Sequence, residues 1–333
     1  APPPPARPAG VLMLDEASFD GSGNRLFTTR YQSGGRWFLD DHRTKAGDAI
    51  MPGTGYLELA AQALQAQGET GGFEIRDLYF LRPLAVPDDQ GRTVRVTLPR
   101  SDTGYDFTVE SGDEAGFEQN AQATLSLLPQ SAPAPLDPDL IRARCTAALS
   151  EAPDDAWLRS PQEAHLKFGK RWHVLQSSAL GDGEGIAHLR LPAEARGDVE
   201  NGYRLHPGLM DLATGWAMGL IAGYKPTHLW VPVSYRSVRV FRALPAEVIS
   251  WVRNAADNRA DGETASFDIT IAAPDGSVCV DITGFSIRRM EKGAAFAAGA
   301  AQQAHSPRSE EGPRPLSPAE ERLKHNLSQG IAA

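Results

Sequence analysis

The stretch 51–64, MPGTGYLELAAQAL, is echoed by 206–219, HPGLMDLATGWAMG: a Pro-Gly step, then apolar residues at helical spacing. In the first, Tyr56, Leu57, Leu59, Ala60, Ala63 and Leu64 share one broad face ahead of Gly68, which predicts a helix. In the second, Leu209, Leu212, Ala213, Trp216, Leu220 and Ile221 predict a largely buried helix running through LMDLATGWAMGLIAG. Proline suits the first turn of any helix, so the shared start alone says little. The segments behind the two helices are more telling. After the first come the strand-like pieces IRDLYFLRPLAV, TVRVTL, YDFTVE and QATLSLL; after the second come LWVPVS, SVRVF, EVISWVR, ASFDITIAA and VCVDITGFSI. One helix ahead of a train of antiparallel strands, twice over, predicts a duplicated α+β unit in which each long helix is wrapped by a curled sheet.

Around these units, 32 Gly and 25 Pro among 333 residues make roughly one residue in six, above the usual share of about one in eight. Much of the excess collects at the N-terminus, at 129–137 (PQSAPAPLD), at 292–302 (KGAAFAAGAAQ) and at 306–318 (SPRSEEGPRPLSP). These are linker compositions. They divide the chain into an arm at 1–10, a first unit at 11–130, a linker at 131–150, a second unit at 151–290 and a tail at 291–333. In the tail, Ser317, Pro318 and Glu320 open a short connector helix toward Gly330. Such ends read as those of a piece cut from a longer polypeptide. A net charge of -9, from 33 basic and 42 acidic side chains, opposes binding to nucleic acid. No stretch has the ~20 apolar residues of a membrane span, and the first ten residues lack the apolar core of a signal peptide. Cys145 and Cys279 are too few for a disulfide framework or a thiolate zinc site, and a reducing cytoplasm is the expected setting.

Two polar residues stand out. His42, in WFLDDHRTKAGDAIMPG, follows an aromatic, strand-like stretch, and its neighbours Asp41, Arg43 and Lys45 give it a solvent-facing pattern. A lone histidine of this kind is more often a surface residue than a catalyst. Asp211 lies among apolar residues of the second helix, where a carboxylate is costly unless paired, hydrogen-bonded or protonated. It reads either as a cap for backbone donors near the helix start or as an acid kept neutral so that it can donate a proton.

Taken together, four motifs resemble the dehydratase domains of modular polyketide synthases. They are His42, Gly47, Pro52 and Gly53 in HRTKAGDAIMPGTGYLELA; Phe168, Gly169, Arg171 and Trp172 in FGKRWHVL; His206, Pro207 and Asp211 in HPGLMDLATG; and the run VPVSYRSVRVFRALP. The resemblance covers nearly all of 11–290 and implies a double hotdog, two tandem hotdog units in one α+β chain. It also implies dehydration of a β-hydroxyacyl thioester to an α,β-enoyl thioester, with His42 as base and Asp211 as acid. Backbone amides around Gly47, Pro52 and Gly53 would steady the thioester oxygen, and Phe168, Gly169 and Gly215 would line the substrate. The resemblance implies no bound cofactor or metal. Substrate would arrive on the phosphopantetheine of an acyl carrier protein, for which Arg236, Arg239 and Arg242 are candidate contacts, although a solvated strand face explains them as well. Neighbouring synthase domains and a second copy of the domain are the other expected partners, with no nucleic acid and no membrane.

Three features depart from the family pattern. The spacing from His42 to Gly47 is one residue longer than usual, Gly215 stands where a Gln or His often follows the aspartate, and Phe168 and Lys170 replace a common Tyr and Pro. These departures keep two related activities in view, a shift of an enoyl double bond from α,β to β,γ and pyran closure by oxa-Michael addition. A catalytically silent dimerisation module would be expected to lack His42 or Asp211, and both are present. A stand-alone thioesterase does not account for the paired motifs, and a ketoreductase would need a GxGxxG loop that the sequence lacks.

Overall fold

The computed structural model describes residues 6–290 except 114, 130–131 and 155. The first central helix spans Gly53–Ala66, and Thr54 to Leu64 are all buried along it. It begins after Pro52, whose extended backbone leaves the helix to start at Gly53, and it ends where Gly68 takes a φ of 95°. The second central helix, Pro207–Gly215, is shorter than its apolar spacing predicts, with Met218–Leu220 continuing only as a 3-10 turn. The reason is a side chain from the sheet. Ser250 donates its hydroxyl to the Ala213 carbonyl, an acceptor that a longer helix would use, and accepts the Trp216 indole N–H at 3.1 Å.

Each helix is followed by four long strands, and the duplication is visible in how they pair. In the first half Phe73–Phe80, Arg92–Leu98, Gly104–Asp113 and Gly116–Leu127 lie in the spatial order first, fourth, third, second. In the second half Trp230–Val240, Glu247–Asn254, Thr264–Ala272 and Val278–Arg289 take the same order. The repeat also reaches upstream of the helices. Arg25–Tyr31 pairs with Arg92–Leu98, and Glu184–Arg190 pairs with Glu247–Asn254, so a strand before each helix extends the same side of its unit. The two first strands pair with each other, Val240 opposite Phe73, Val238 opposite Ile75 and Tyr235 opposite Leu78, which merges the halves into one 15-stranded sheet. This is a double hotdog: two helices, each against its own stretch of curled sheet.

The helices meet at their starts. Thr54 donates its hydroxyl to the Pro207 carbonyl at 3.0 Å, and the Glu58 carboxylate accepts the Arg204 and Leu205 amides just before the second helix. Both glycines of the Pro-Gly steps are required by close packing. A Cβ at Gly53 would lie 2.8 Å from Cγ of Pro232, and one at Gly208 would lie 2.5 Å from the Arg171 carbonyl oxygen and 3.0 Å from the Trp172 ring.

Three expectations are corrected. The arm at 1–10 is partly sheet, with Arg7–Pro8 paired to Glu16–Ala17. The linker at 131–150 carries a helix, Pro138–Arg144, capped by Asp137, and a strand, Ala148–Glu151. The aromatic stretch before His42 is a single helical turn, Trp37–Asp40, not a strand. The connector helix expected beyond residue 317 lies outside the described residues. Among the described residues no helix is long and apolar enough to cross a membrane.

Candidate active site

His42 is buried, against the solvent-facing pattern of its neighbours, because a second small sheet closes over it. Strand His42–Thr44 lies between Leu166–Phe168 of the second half and Ala49–Ile50, and Ala85–Val86 completes the sheet. Phe168 is directly opposite His42 in that pairing, and its ring stacks on the imidazole at 5.7 Å. Nδ1 of His42 sits 2.8 Å from the Ile50 carbonyl oxygen. A carbonyl can only accept, so Nδ1 carries the hydrogen and the neutral ring keeps its lone pair on Nε2.

Asp211 is half-buried on the second helix. Desolvation raises its pKa, opposed by the positive form of His42 and by the Trp172 indole, which donates to Oδ2 at 2.9 Å. The structure therefore brings His42 and Asp211 into one electrostatic site, with Trp172 touching both: its ring centroid is 5.6 Å from that of His42. Tyr235, buried on strand Trp230–Val240, lies near enough for the charge of Asp211 to oppose its ionisation.

Behind this pair lies a supporting layer. Asp41 reaches the one-turn helix Lys170–Trp172, its backbone oxygen accepting the Gly169 amide at 2.9 Å and its carboxylate the Arg171 amide at 3.3 Å. Burial raises the Asp41 pKa despite that bond. Arg171 pairs with Asp198 at 2.7 Å and lies over the Trp37 ring; Asp198 also meets Nε2 of His206, which stacks on Trp37 at 4.8 Å. Burial works against the Asp198 charge, but its bonds to His206 and Arg171 hold the carboxyl below its ordinary range. Nδ1 of His206 accepts the Leu209 amide, so this histidine caps the helix that carries Asp211.

The remaining expected residues divide. Gly53 and Thr54, first in their helix, have amides without intrahelical acceptors. Gly47 does not serve as an oxyanion donor: its φ is 107°, and its N–H is donated to the Thr44 carbonyl within a tight turn that the extra residue makes possible. Pro52 has no N–H and sets the helix start. Gly169 makes room for the Asp41 carboxylate, which a Cβ there would strike, and the space beside Gly215 is taken by the Gln162 carboxamide. Arg236 and Arg242 are exposed; Arg239 is ion-paired with Asp281 at 2.9 Å. No contact links these three arginines to His42 or Asp211 among the described residues. Asp41, Asp198 and Gln162 were not legible as site residues, since each acts through a partner far away in sequence. Among the described residues there is no cluster of side chains able to hold a metal ion.

A model described as the polyketide synthase dehydratase domain matches residues 12–112, and one described as the polyketide synthase dehydratase N-terminal domain matches 133–297. Polyketide synthase PksM of Bacillus subtilis is 26% identical over 274 residues, 78% of this chain and 6% of that protein. Polyketide synthase GfsB of Streptomyces halstedii is 32% identical over 240 residues, 66% of this chain and 4% of that protein. The chain thus spans only a small fraction of the length of these relatives. A trans-AT dehydratase domain from Brevibacillus brevis superposes with a TM-score of 0.72 at 22% identity, covering 84% of this chain and 98% of that one, and shows the same fold. With one such model matched over each hotdog, the chain belongs to the polyketide synthase dehydratase domains.

Proposed function

We propose that this domain removes water from a β-hydroxyacyl thioester with His42 as base and Asp211 as acid. The observation that carries the reading is the complementary state of the two side chains. Nδ1 of His42 is committed to the Ile50 carbonyl, which leaves Nε2 to take a proton, while desolvation favours the neutral form of Asp211, which has one to give. Nε2 takes the α-proton, the C–O bond at the β-carbon breaks, and the hydroxyl leaves as water with the Asp211 proton. An α,β-enoyl thioester remains, with His42 protonated and Asp211 ionised. Return of the proton from His42 to Asp211 through solvent resets the pair. The free amides of Gly53 and Thr54, at the positive end of a helix, are suited to steady the thioester oxygen as charge builds on it.

Water loss of this kind draws on an acid and a base alone, with no metal or redox partner in the step. In this reading the substrate rides the phosphopantetheine of an acyl carrier protein within a larger cytoplasmic synthase that contains two copies of the domain. Double-bond migration can run on a single base; the acid at Asp211 favours dehydration as the first step. The test supplies β-hydroxyacyl carrier proteins of both hydroxyl configurations and identifies products by mass and alkene position. The reading expects loss of one water from one configuration. Reaction only of preformed enoyl substrates would replace it with isomerisation, and ring closure of a δ- or ε-hydroxy substrate would add cyclisation.

A further inference from the structure

The second oxygen of Asp211 is engaged by a donor from outside its own helix. Trp172 Nε1 lies 2.9 Å from Oδ2, and an indole N–H can only donate, so Oδ2 must accept. In a neutral carboxyl the carbonyl oxygen is the stronger acceptor, which leaves the proton to Oδ1. The indole is not free to drift. Trp172 is 2% exposed and ends a one-turn helix held to Asp41, the residue next to His42, through the Gly169 and Arg171 amides. Its other side rests on the second central helix where Gly208 has no Cβ to keep it away. One turn along from Asp211, at the i+4 position from which a helix could supply its own donor, Gly215 has no side chain and the Gln162 carboxamide fills the space. A ring placed here only for packing needs no nitrogen.

We propose that Trp172 is the positioning residue of the acid: its indole N–H fixes Oδ2 of Asp211, so that the proton is carried on Oδ1 and offered from there to the leaving hydroxyl. This inference rests on the assignment of Asp211 as acid. Because the same ring lies against His42, the indole sets the acid in register with the base. Trp172 therefore governs turnover more than substrate affinity.

The test replaces the indole nitrogen without changing the shape of the ring, by incorporating 3-benzothienylalanine at position 172, with Trp172→Phe as a second variant. Water loss from a β-hydroxyacyl thioester is expected to fall by about 10- to 100-fold in kcat while KM stays within about threefold, since the lost bond is to the acid and not to substrate. An unchanged kcat in the benzothienyl protein, or a loss confined to KM, would overturn the proposal. A readout independent of activity is the Trp172 indole proton resonance, expected to move upfield in Asp211→Ala; no movement would show that the bond is absent. The failure of the underlying assignment looks different. In that case the unsubstituted protein does not release water, or Asp211→Asn releases it at full rate, whatever happens at position 172.

Discussion

Glu58 shows how a single residue can report on the junction of the two hotdogs. Its carboxyl is fully buried in the first helix, and desolvation pushes its pKa up to about 7, against the pull of the Gln62, Leu205 and Arg204 N–H donors. An unfolded chain loses this proton near 4.5, so the folded form holds one proton more over the interval between. The stability that this proton confers is whole below about 4.5 and is lost as pH rises through about 7, a fall of at most about 3 kcal/mol. Asp211, also raised, adds a slope of the same sign. Burial lowers the pKa of His173 and His206, which adds a slope of opposite sign, so the readout is the difference between proteins: in denaturant unfolding, stability should fall by less between pH 5 and pH 8 in Glu58→Gln than it does in the unsubstituted protein once the histidine contribution common to both is subtracted, and an equal slope in the variant would count against the burial argument. Asp211 itself stood out in sequence as a carboxylate set among apolar residues. The burial of His42 was not legible, because it depends on Phe168, which pairs with the histidine from the other half of the chain.

At the scale of elements, the long helices and the strands after them were legible because each repeats its period over enough residues to be read. The small sheet over His42 was not, since strands of two or three residues have no period to show. The stop of the second helix at Gly215 was hidden for a different reason: it depends on the Ser250 hydroxyl arriving from a strand. The second helix and the turn Lys170–Trp172 approach closely at the site, where Gly208 faces the Arg171 carbonyl. Gly208→Ala should destabilise the protein by about 1–3 kcal/mol through overpacking, and should lower kcat as well by shifting Trp172. Thermal unfolding and steady-state rates on the same preparation check this. A fall in stability with an unaltered kcat would separate Trp172 from catalysis. Gly53→Ala, whose Cβ would meet only side-chain atoms of Pro232 and Phe80, should cost less.

In the whole molecule, the duplicated unit read from sequence is the fold, and the seam where Phe73–Phe80 pairs with Trp230–Val240 makes the two units depend on each other. The seam buries Phe73, Ile75, Leu78, Tyr235, Val238 and Val240, each at most 1% exposed. A first half produced alone would expose that face and leave the edge of Phe73–Phe80 unpaired, so it should aggregate or fail to unfold cooperatively. Recovery of a soluble, cooperatively folded 11–130 fragment would show that the seam is dispensable. The proposed catalysis has the same architecture, with His42 as base on the first unit and Asp211 as acid on the second. The most direct measurement is the single-turnover rate of water loss from a β-hydroxyacyl thioester in the unsubstituted protein, His42→Ala, Asp211→Asn and the double variant. Each single change should slow water loss by about 10²- to 10⁴-fold, and the double variant should be little slower than the worse single one, because the two groups act in one transition state. Unimpaired water loss in His42→Ala would contradict the assignment of the base and with it the split of the site across the two hotdogs.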